Sequence, residues 1–137
     1  MSRYRDLIKS ISKDVYSILG NNYPEHIYRN ALCHELVLRN IPHNSEVVIP
    51  IIYKGYQVGF GRADIIIENS IILELKAIAS LRDKDVTQLR NYMKMSGIVE
   101  GCLINFSKND LQIPDFTDVS FPMEPCNCNP NKLLTIS

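Results

Sequence analysis

The sequence predicts one α/β domain with a mixed sheet (an α+β arrangement) and the element order α-α-β-β-β-α-β. Three observations predict it: two helical segments open the chain, three strand-like apolar runs follow in succession, and a third helical segment then leads into a last apolar run. The length of 137 residues fits one domain. With 45% hydrophobic and 22% charged residues, the composition is that of a globular protein with a real core.

The first two elements are amphipathic helices. Residues 4–19 carry apolar side chains three and four positions apart, a spacing typical of a helix with one buried face. The segment GNNYP interrupts this pattern, because Gly20 and the two asparagines suit left-handed backbone conformations. Pro24 fits the first turn of a second helix, which we expect over about 25–39, ended by NIPHN.

Three strand-like runs come next. They cover residues 46–53, 56–68 and 71–78. Lys54 and Gly55 form the turn between the first two runs. Two glycines between Gln57 and Gly61 predict a bulge or kink before Arg62.

The last predicted elements are a helix and a core strand. Helical spacing returns over residues 82–96, and Gly97 suits the end of that helix. EGCLINF at 100–106 then predicts a buried strand. We expect the domain to span residues 1–121, followed by a loosely packed tail at 122–137 that is rich in Pro, Asn and Cys.

The composition excludes several classes of protein. The formal net charge is zero, with 15 basic and 15 acidic residues, which argues against a strongly basic nucleic-acid coat protein but leaves room for a local basic groove. No segment resembles a signal peptide or a membrane span, so we expect a soluble, intracellular protein of the cytoplasm or nucleus. The four cysteines match no standard zinc spacing, and we expect structural or surface thiols; they are Cys33, Cys102, Cys126 and Cys128.

Three charged side chains interrupt the apolar hairpin of the second and third runs. Glu74 and Lys76 are two residues apart and therefore share one face of a strand. Asp64 joins that face if a three-residue loop at 68–70 sets the register, because Asp64 then lies opposite Glu74. A two-residue turn would instead put Asp64 opposite Leu75, unless a bulge near Asp64 corrected the register.

The favourable register would make a metal site. Two opposed carboxylates lie about 5 Å apart at Cβ, and their repulsion favours a cation between them. Oxygen ligands select Mg²⁺ or Mn²⁺, and Lys76 on the same face could orient a water molecule or stabilise charge on phosphorus. The structural alternative is that Asp64 pairs with Arg62 while Glu74 and Lys76 form a salt-bridged, exposed edge. Apolar residues on both faces of 71–78 favour a central strand instead.

Two further polar pairs stand at helical spacing. Gln88 and Tyr92 share one stripe of the third helix, beside its apolar face, and Glu25 and Tyr28 share one face of the second helix. Each has a plainer explanation, as a solvated glutamine, a boundary tyrosine or a first-turn acid favoured by the helix dipole. Arg62 belongs to a local cluster of basic residues that is either a nucleic-acid contact or a solvated face.

Taken together, these segments resemble the GxxExxY family of small proteins in the PD-(D/E)XK nuclease superfamily. The resemblance covers about residues 4–106. It rests on EHIYRNALCHELVLRN (25–40), VVIPIIYKGYQVGFGRADIIIENSIILELKAI (47–78), QLRNYMKMSGI (88–98) and GCLINF (101–106). The α-β-β-β-α-β order is also that of the restriction-endonuclease-like core of this superfamily.

The resemblance implies a catalytic and metal-binding set. Asp64 and Glu74 correspond to the metal-binding acids, with the backbone carbonyl of Leu75 as a further ligand. Lys76 corresponds to the catalytic lysine. Glu25, from the E-x-x-Y that names the family, would complete the metal shell.

The resemblance also implies supporting residues. Gln88 and Tyr92 match the Q-x-x-x-Y element of RecB-like nucleases, which supports the site and contacts nucleic acid. Tyr28, the tyrosine of E-x-x-Y, and Arg62 are counted with them as nucleic-acid-binding or supporting residues. One departure is that Asn22 stands where the family has glycine. Asparagine tolerates the left-handed conformation better than other non-glycine residues, so we expect the loop to be kept.

The expected function is metal-dependent hydrolysis of phosphodiester bonds, with DNA preferred over RNA as substrate. The alternative is a catalytically silent module on the same fold that binds nucleic acid or protein, and a weaker one is a structural zinc protein. A homodimer would let so small a domain grip both strands of a duplex.

Overall fold

The computed structural model describes residues 4–114 and confirms the predicted order of elements. The elements are α1 (Arg5–Leu19), α2 (Glu25–Leu38), β1 (His43–Tyr53), β2 (Tyr56–Ile67), β3 (Ile71–Lys76), α3 (Asp83–Ser96), β4 (Gly101–Phe106) and β5 (Leu111–Gln112). The short strand β5 was not predicted, because two residues carry no periodic pattern. Three predictions concern residues beyond those described and stay predictions: the domain limits 1–121, the tail at 122–137, and the thiols of Cys126 and Cys128.

The five strands form one mixed sheet in the order β1-β2-β3-β4-β5. All neighbours are antiparallel except β3 and β4, which α3 connects as a parallel crossover. Strand β3 therefore lies in the middle of the sheet, and the first five of its six residues are buried. The prediction of a central strand is confirmed, and an exposed salt-bridged edge is excluded for Glu74.

Helices cover the sheet on both sides. Helices α1 and α2 pack on one face, against odd-numbered residues of β3 such as Leu73 and Leu75. Helix α3 packs on the other face, where Leu89 and Met93 meet Ile72 and Leu103. Because side chains alternate along a strand, the even-numbered Glu74 and Lys76 belong to the α3 face.

The predicted turns carry the expected backbone conformations. Lys54 and Gly55 have φ of 48° and 77°, which suits the tight turn of a hairpin. The register of β1 and β2 shifts because Ile51 pairs with Gly59 and Ile52 with Gln57, so the predicted bulge is present. Outside the hairpin, the predicted left-handed end of α3 is found at Gly97 (φ 80°) and the glycine-replacing Asn22 has φ 73°.

The end of β3 differs from prediction. The strand stops at Lys76 rather than at residue 78, because the side-chain amide of Asn105 takes over the backbone of Ile78. The Ile78 N–H donates to Asn105 Oδ1 at 3.0 Å, and Asn105 Nδ2 donates to the Ile78 carbonyl at 3.0 Å. This buried asparagine turns the chain away from the sheet directly after Lys76.

No helix within residues 4–114 is long and apolar enough to cross a bilayer. Cys33 is half-buried on α2 and Cys102 is buried on β4, as expected for structural cysteines.

Candidate active site

The register of the β2–β3 hairpin brings Asp64 and Glu74 together. Ile67 pairs with Ile71 and Ile65 with Leu73, so the loop between the strands has three residues, 68–70. Glu68 and Asn69 both take left-handed conformations, with φ of 49° and 53°. The predicted three-residue loop is therefore confirmed, and continuing its register places Asp64 opposite Glu74.

Around Asp64 and Glu74, side-chain carboxyl groups accept the hydrogen bonds that backbone carbonyls accept in a regular antiparallel pair. The Asp64 N–H donates to Glu74 Oε1 at 2.9 Å, and the Leu75 N–H donates to Asp64 Oδ2 at 2.7 Å. On the other side of β2, Ala63 and Ile65 pair with residues of β1, but Asp64 and the residue opposite it, Glu46, do not pair. Glu46 has a positive φ of 53°. Strand β2 is thus released from regular pairing at the residue that carries the first carboxylate.

Both carboxyl groups lie in surroundings that disfavour negative charge. Glu74 is 4% exposed, and burial together with the charge of Asp64 raises the pKa of Glu74 to about 8. Burial also raises the pKa of Asp64, opposed by the Leu75 N–H and by the positive charge of Arg29. Two acids that resist ionisation side by side would both ionise readily only next to a cation.

Lys76 is held in place by two residues of α3. Its Nζ donates to Gln88 Oε1 at 3.3 Å and lies 3.6 Å from Asp85 Oδ1. Asp85 is 2% exposed and is fixed in turn by Arg82, whose guanidinium donates to it at 3.1 Å. This hydrogen bond from Arg82 holds the pKa of Asp85 below its ordinary value, so a permanent negative charge faces the lysine.

Tyr92 lies one turn further along α3 and packs on β2. Its hydroxyl accepts a hydrogen bond from the Arg62 N–H at 3.3 Å. A Cβ added at Gly61 would lie 2.7 Å from Cζ of the Tyr92 ring, so only glycine lets the ring approach the strand. Gln88 and Tyr92 therefore do face the hairpin, while the side chain of Arg62 is 57% exposed.

The first turns of α2 reach the same site from the other face of the sheet. Burial and the charge of Asp64 raise the pKa of Glu25, while Lys76 and Arg29 oppose this rise. Arg29 NH1 lies 3.8 Å from Asp64 Oδ1, and its NH2 lies 3.7 Å from Glu46 Oε1. The structural alternative of an Asp64–Arg62 pair is therefore wrong.

Arg62 pairs with Glu46 instead, at 3.9 Å, and Arg29 is the partner of Asp64. Arg29 and Asp85 were missed from the sequence. A signal existed for Arg29, which stands four residues after Glu25 and so on the same face of α2. None existed for Asp85, whose contact with Lys76 depends on how α3 packs.

Tyr28 has a structural position. Its side chain is fully buried, its ring stacks on that of Phe106 with centroids 4.2 Å apart, and its hydroxyl donates to the Gly20 carbonyl at 2.6 Å. Direct contact with nucleic acid, included among the expectations, is excluded for this side chain. The supporting role fits, since the hydroxyl ties the α1–α2 loop to the helix that carries Glu25.

The residues present fit a hard cation. Asp64 and Glu74 each use one oxygen in the hydrogen bonds to backbone, and Asp64 Oδ1 and Glu74 Oε2 take no part in them. The N–H and the carbonyl of one strand residue point toward the same neighbouring strand. Because the Leu75 N–H donates to Asp64 of β2, the Leu75 carbonyl also points toward β2. Within residues 4–114 no three His, Cys, Asp or Glu side chains are arranged as a metal-binding group. Mg²⁺ is usually held by one or two carboxylates and several waters, which this donor set can supply.

Comparison with known proteins agrees with the fold described above. A family model described as the PD-(D/E)XK nuclease superfamily matches residues 2–115. No curated protein matches the chain. Among solved structures, that of SSO0001 is similar, with a TM-score of 0.52 and 27% sequence identity. The match covers 82% of this chain and 58% of that protein, so the chain spans little more than half of its length.

Proposed function

Because the chain belongs to the PD-(D/E)XK nuclease superfamily, we propose that it is a metal-dependent nuclease that hydrolyses phosphodiester bonds of DNA, with RNA as the alternative substrate. The observation that carries the proposal is the meeting of Asp64 and Glu74, which are joined through hydrogen bonds to each other's strand, close enough to Lys76 for its charge to act on both carboxyl groups. Glu74 is buried and has a pKa raised to about 8. Perturbed acids next to an ordered lysine are typical of catalytic sites.

The proposed metal ligands are Asp64, Glu74 and the carbonyl of Leu75. Glu25 does not form a three-carboxylate group with them in the described residues and would complete the shell after a movement of its side chain. Mg²⁺ or Mn²⁺ bound there would neutralise the carboxylates and lower the pKa of a coordinated water. Glu25 lies close enough to interact electrostatically with Asp64 and Lys76, which supports its place in the set.

The proposed reaction is attack by water on phosphorus. A new bond forms between the water oxygen and phosphorus, and the attacking water gives up one proton to solvent. The bond to one ester oxygen breaks, and the leaving oxygen takes up a proton from solvent. Lys76 would position the attacking water and stabilise the charge that develops on the phosphoryl oxygens. Gln88 and Asp85 hold the lysine by contacts of 3.3 and 3.6 Å, so its ammonium is directed before substrate binds.

The narrower assignments belong to the same proposal. Membership of the GxxExxY family is supported by Asn22, which has the left-handed conformation expected where that family has glycine. Gln88, Tyr92 and Arg62 would support the site and contact the nucleic acid. A homodimer would extend the grip on a duplex.

A hydrolysis assay tests the proposal. Purified protein is incubated with single- and double-stranded DNA and RNA, with Mg²⁺, Mn²⁺ or EDTA. Glu74→Gln and Lys76→Met should each lower the rate by roughly 100- to 1000-fold, the loss typical of a removed electrostatic group. EDTA should abolish cleavage.

The matched controls come from the exposed side of α1. Asp14→Asn and Lys13→Met remove the same charges at exposed positions of another helix and should leave the rate unchanged. Cleavage that persists in Glu74→Gln and Lys76→Met would refute the site. Binding without cleavage of any substrate would identify the chain as a silent module.

A further inference from the structure

Arg29 faces the oxygen of Asp64 that the proposed metal would use. Asp64 Oδ2 accepts the hydrogen bond from the Leu75 N–H at 2.7 Å, so Oδ1 is the oxygen left for a ligand. Arg29 NH1 lies 3.8 Å from that Oδ1, and both side chains are only 17% exposed. A guanidinium group therefore already lies beside the oxygen to which a metal cation would bind.

Two positive charges next to one carboxylate oxygen repel each other. Mg²⁺ binds such an oxygen at about 2.1 Å, so an ion on Oδ1 and an unmoved Arg29 NH1 would lie within about 6 Å of each other. Water and salt screen this repulsion weakly, because both side chains are largely buried. Metal binding at Asp64 therefore favours a movement of Arg29 away from Oδ1.

The contacts of Arg29 allow such a movement. The guanidinium lies 3.8 Å from Asp64 Oδ1 and 3.7 Å from Glu46 Oε1, whereas an N–H to oxygen hydrogen bond usually measures about 2.9 Å. Both acids attract the arginine at distances that are too long for well-formed hydrogen bonds. A small shift toward either acid strengthens one ion pair at the expense of the other.

Glu46 provides a second position for the arginine. It lies on β1 opposite Asp64, since the residues on either side of both acids are paired across the two strands. The Glu46 side chain is 50% exposed, and it contacts Arg29 through Oε1 and Arg62 through Oε2. Glu46 is not among the proposed metal ligands, so its carboxylate stays available to Arg29 when a metal binds Asp64.

We infer that Arg29 competes with the metal for Asp64: it neutralises Asp64 in the metal-free protein and moves toward Glu46 when Mg²⁺ or Mn²⁺ binds. Arg29 is thus a positioning residue that sets how tightly the site takes up metal. The inference rests on the proposed nuclease function and deepens it, because it concerns the regulation of the same site. An arginine with a purely structural role would stay beside Asp64 in both states.

Calorimetric titration with Mg²⁺ tests the inference without substrate. Work at about pH 9, above the pKa of Glu74 of about 8, limits competition by protons. Arg29→Gln should lower the dissociation constant for Mg²⁺ roughly tenfold, because a neighbouring cation changes the binding equilibria of a carboxylate by about 1–3 logarithmic units. Arg29→Lys keeps the positive charge and should keep the weaker binding of the wild type.

Glu46→Gln should have the opposite effect. It removes the second position of the arginine, so Arg29 stays with Asp64 and Mg²⁺ should bind more weakly than in the wild type. This effect should become much smaller when Arg29 is already glutamine, because Glu46 then has no arginine to accept. An equal effect of Glu46→Gln with and without Arg29 would show that Glu46 acts on the metal by its own charge, and would overturn the exchange.

Arg39→Gln is the matched control. Arg39 follows the last turn of α2 and pairs with Glu35 of the same helix, about 15 Å further along the helix axis than Arg29. The substitution changes the net charge of the protein as Arg29→Gln does, and it should leave the affinity for Mg²⁺ unchanged. An equal gain in affinity from both substitutions would refute a local competition.

Urea denaturation gives a second readout. In EDTA, Arg29→Gln should be less stable than the wild type, because Asp64 loses its buried partner. Saturating Mg²⁺ should remove most of this difference, since the metal takes over the neutralisation of Asp64. A difference of the same size in EDTA and in Mg²⁺ would identify a merely structural arginine.

Failure of the inference is distinguishable from failure of the nuclease proposal. Equal affinities of the wild type and Arg29→Gln for Mg²⁺, with cleavage that still depends on Glu74 and Lys76, would overturn the role of Arg29 alone. Absence of Mg²⁺ binding in the wild type and in every variant would overturn that role together with the metal-dependent reaction.

Discussion

Replacing Glu74 by glutamine should stabilise the metal-free protein at alkaline pH. Glu74 is buried beside Asp64, and its ionisation is opposed by desolvation and by that neighbouring charge. Glu74→Gln keeps the size of the side chain and an amide oxygen that can accept the hydrogen bond from the Asp64 N–H, now 2.9 Å long. The substitution removes only the ability to become charged.

The magnitude follows from the pKa of Glu74, which rises from 4.5 to about 8 in the folded protein. Between these two values the folded state keeps a proton that the unfolded state has lost, so the free energy of unfolding falls as the pH rises. At about 1.4 kcal/mol per pH unit, the full loss is on the order of 5 kcal/mol. The stability is present below pH 4.5 and is lost by about pH 8.

Urea denaturation followed by circular dichroism measures this loss. In EDTA, between pH 5.5 and 8.5, the wild type should lose about 3 kcal/mol more than Glu74→Gln. Mg²⁺ at pH 8.5 should stabilise the wild type and leave the variant unchanged, since binding to the folded state alone shifts the equilibrium. Parallel pH profiles for the two proteins would refute the reasoning about burial and coupling. Asp14→Asn, on the exposed side of α1, should follow the wild type.

Two further substitutions test how the site is supported. Gly61→Ala should destabilise the protein by about 1–3 kcal/mol, because the added Cβ overlaps the Tyr92 ring. Tyr92→Leu should recover part of that loss in the double variant, and additive effects in urea denaturation would contradict the contact. Tyr28→Phe should cost about 1–2 kcal/mol, because the Gly20 carbonyl loses its hydrogen bond, and should also lower cleavage through Glu25. A thermal melt identical to that of the wild type would show that the hydroxyl contributes nothing.

The order of elements and the hairpin register could be predicted because both depend on the spacing of residues along the chain. Side chains alternate strictly along a strand, so the length of the loop at 68–70 decides whether Asp64 faces Glu74. The glycines and asparagines of the turns also act locally, as the left-handed Asn22 shows. Features that depend only on residues close in sequence could therefore be predicted.

Contacts between segments distant in sequence could not be predicted. The pairing of Arg29 with Asp64 depends on where α2 lies on the sheet. The pairing of Asp85 with Lys76 depends on how α3 is rotated about its own axis. The early end of β3 depends on Asn105, which lies 27 residues beyond Ile78. Tyr28 was grouped with exposed site residues because its motif spacing does not show whether the ring faces solvent or Phe106.

The crossed hydrogen bonds of the hairpin give the site two spectroscopic probes. The backbone N–H of Leu75 donates to the carboxyl group of Asp64, and the N–H of Asp64 donates to that of Glu74. Each amide proton therefore senses whether one particular acid is charged. In a nitrogen-15 spectrum, these two resonances would separate the titration of one acid from that of the other.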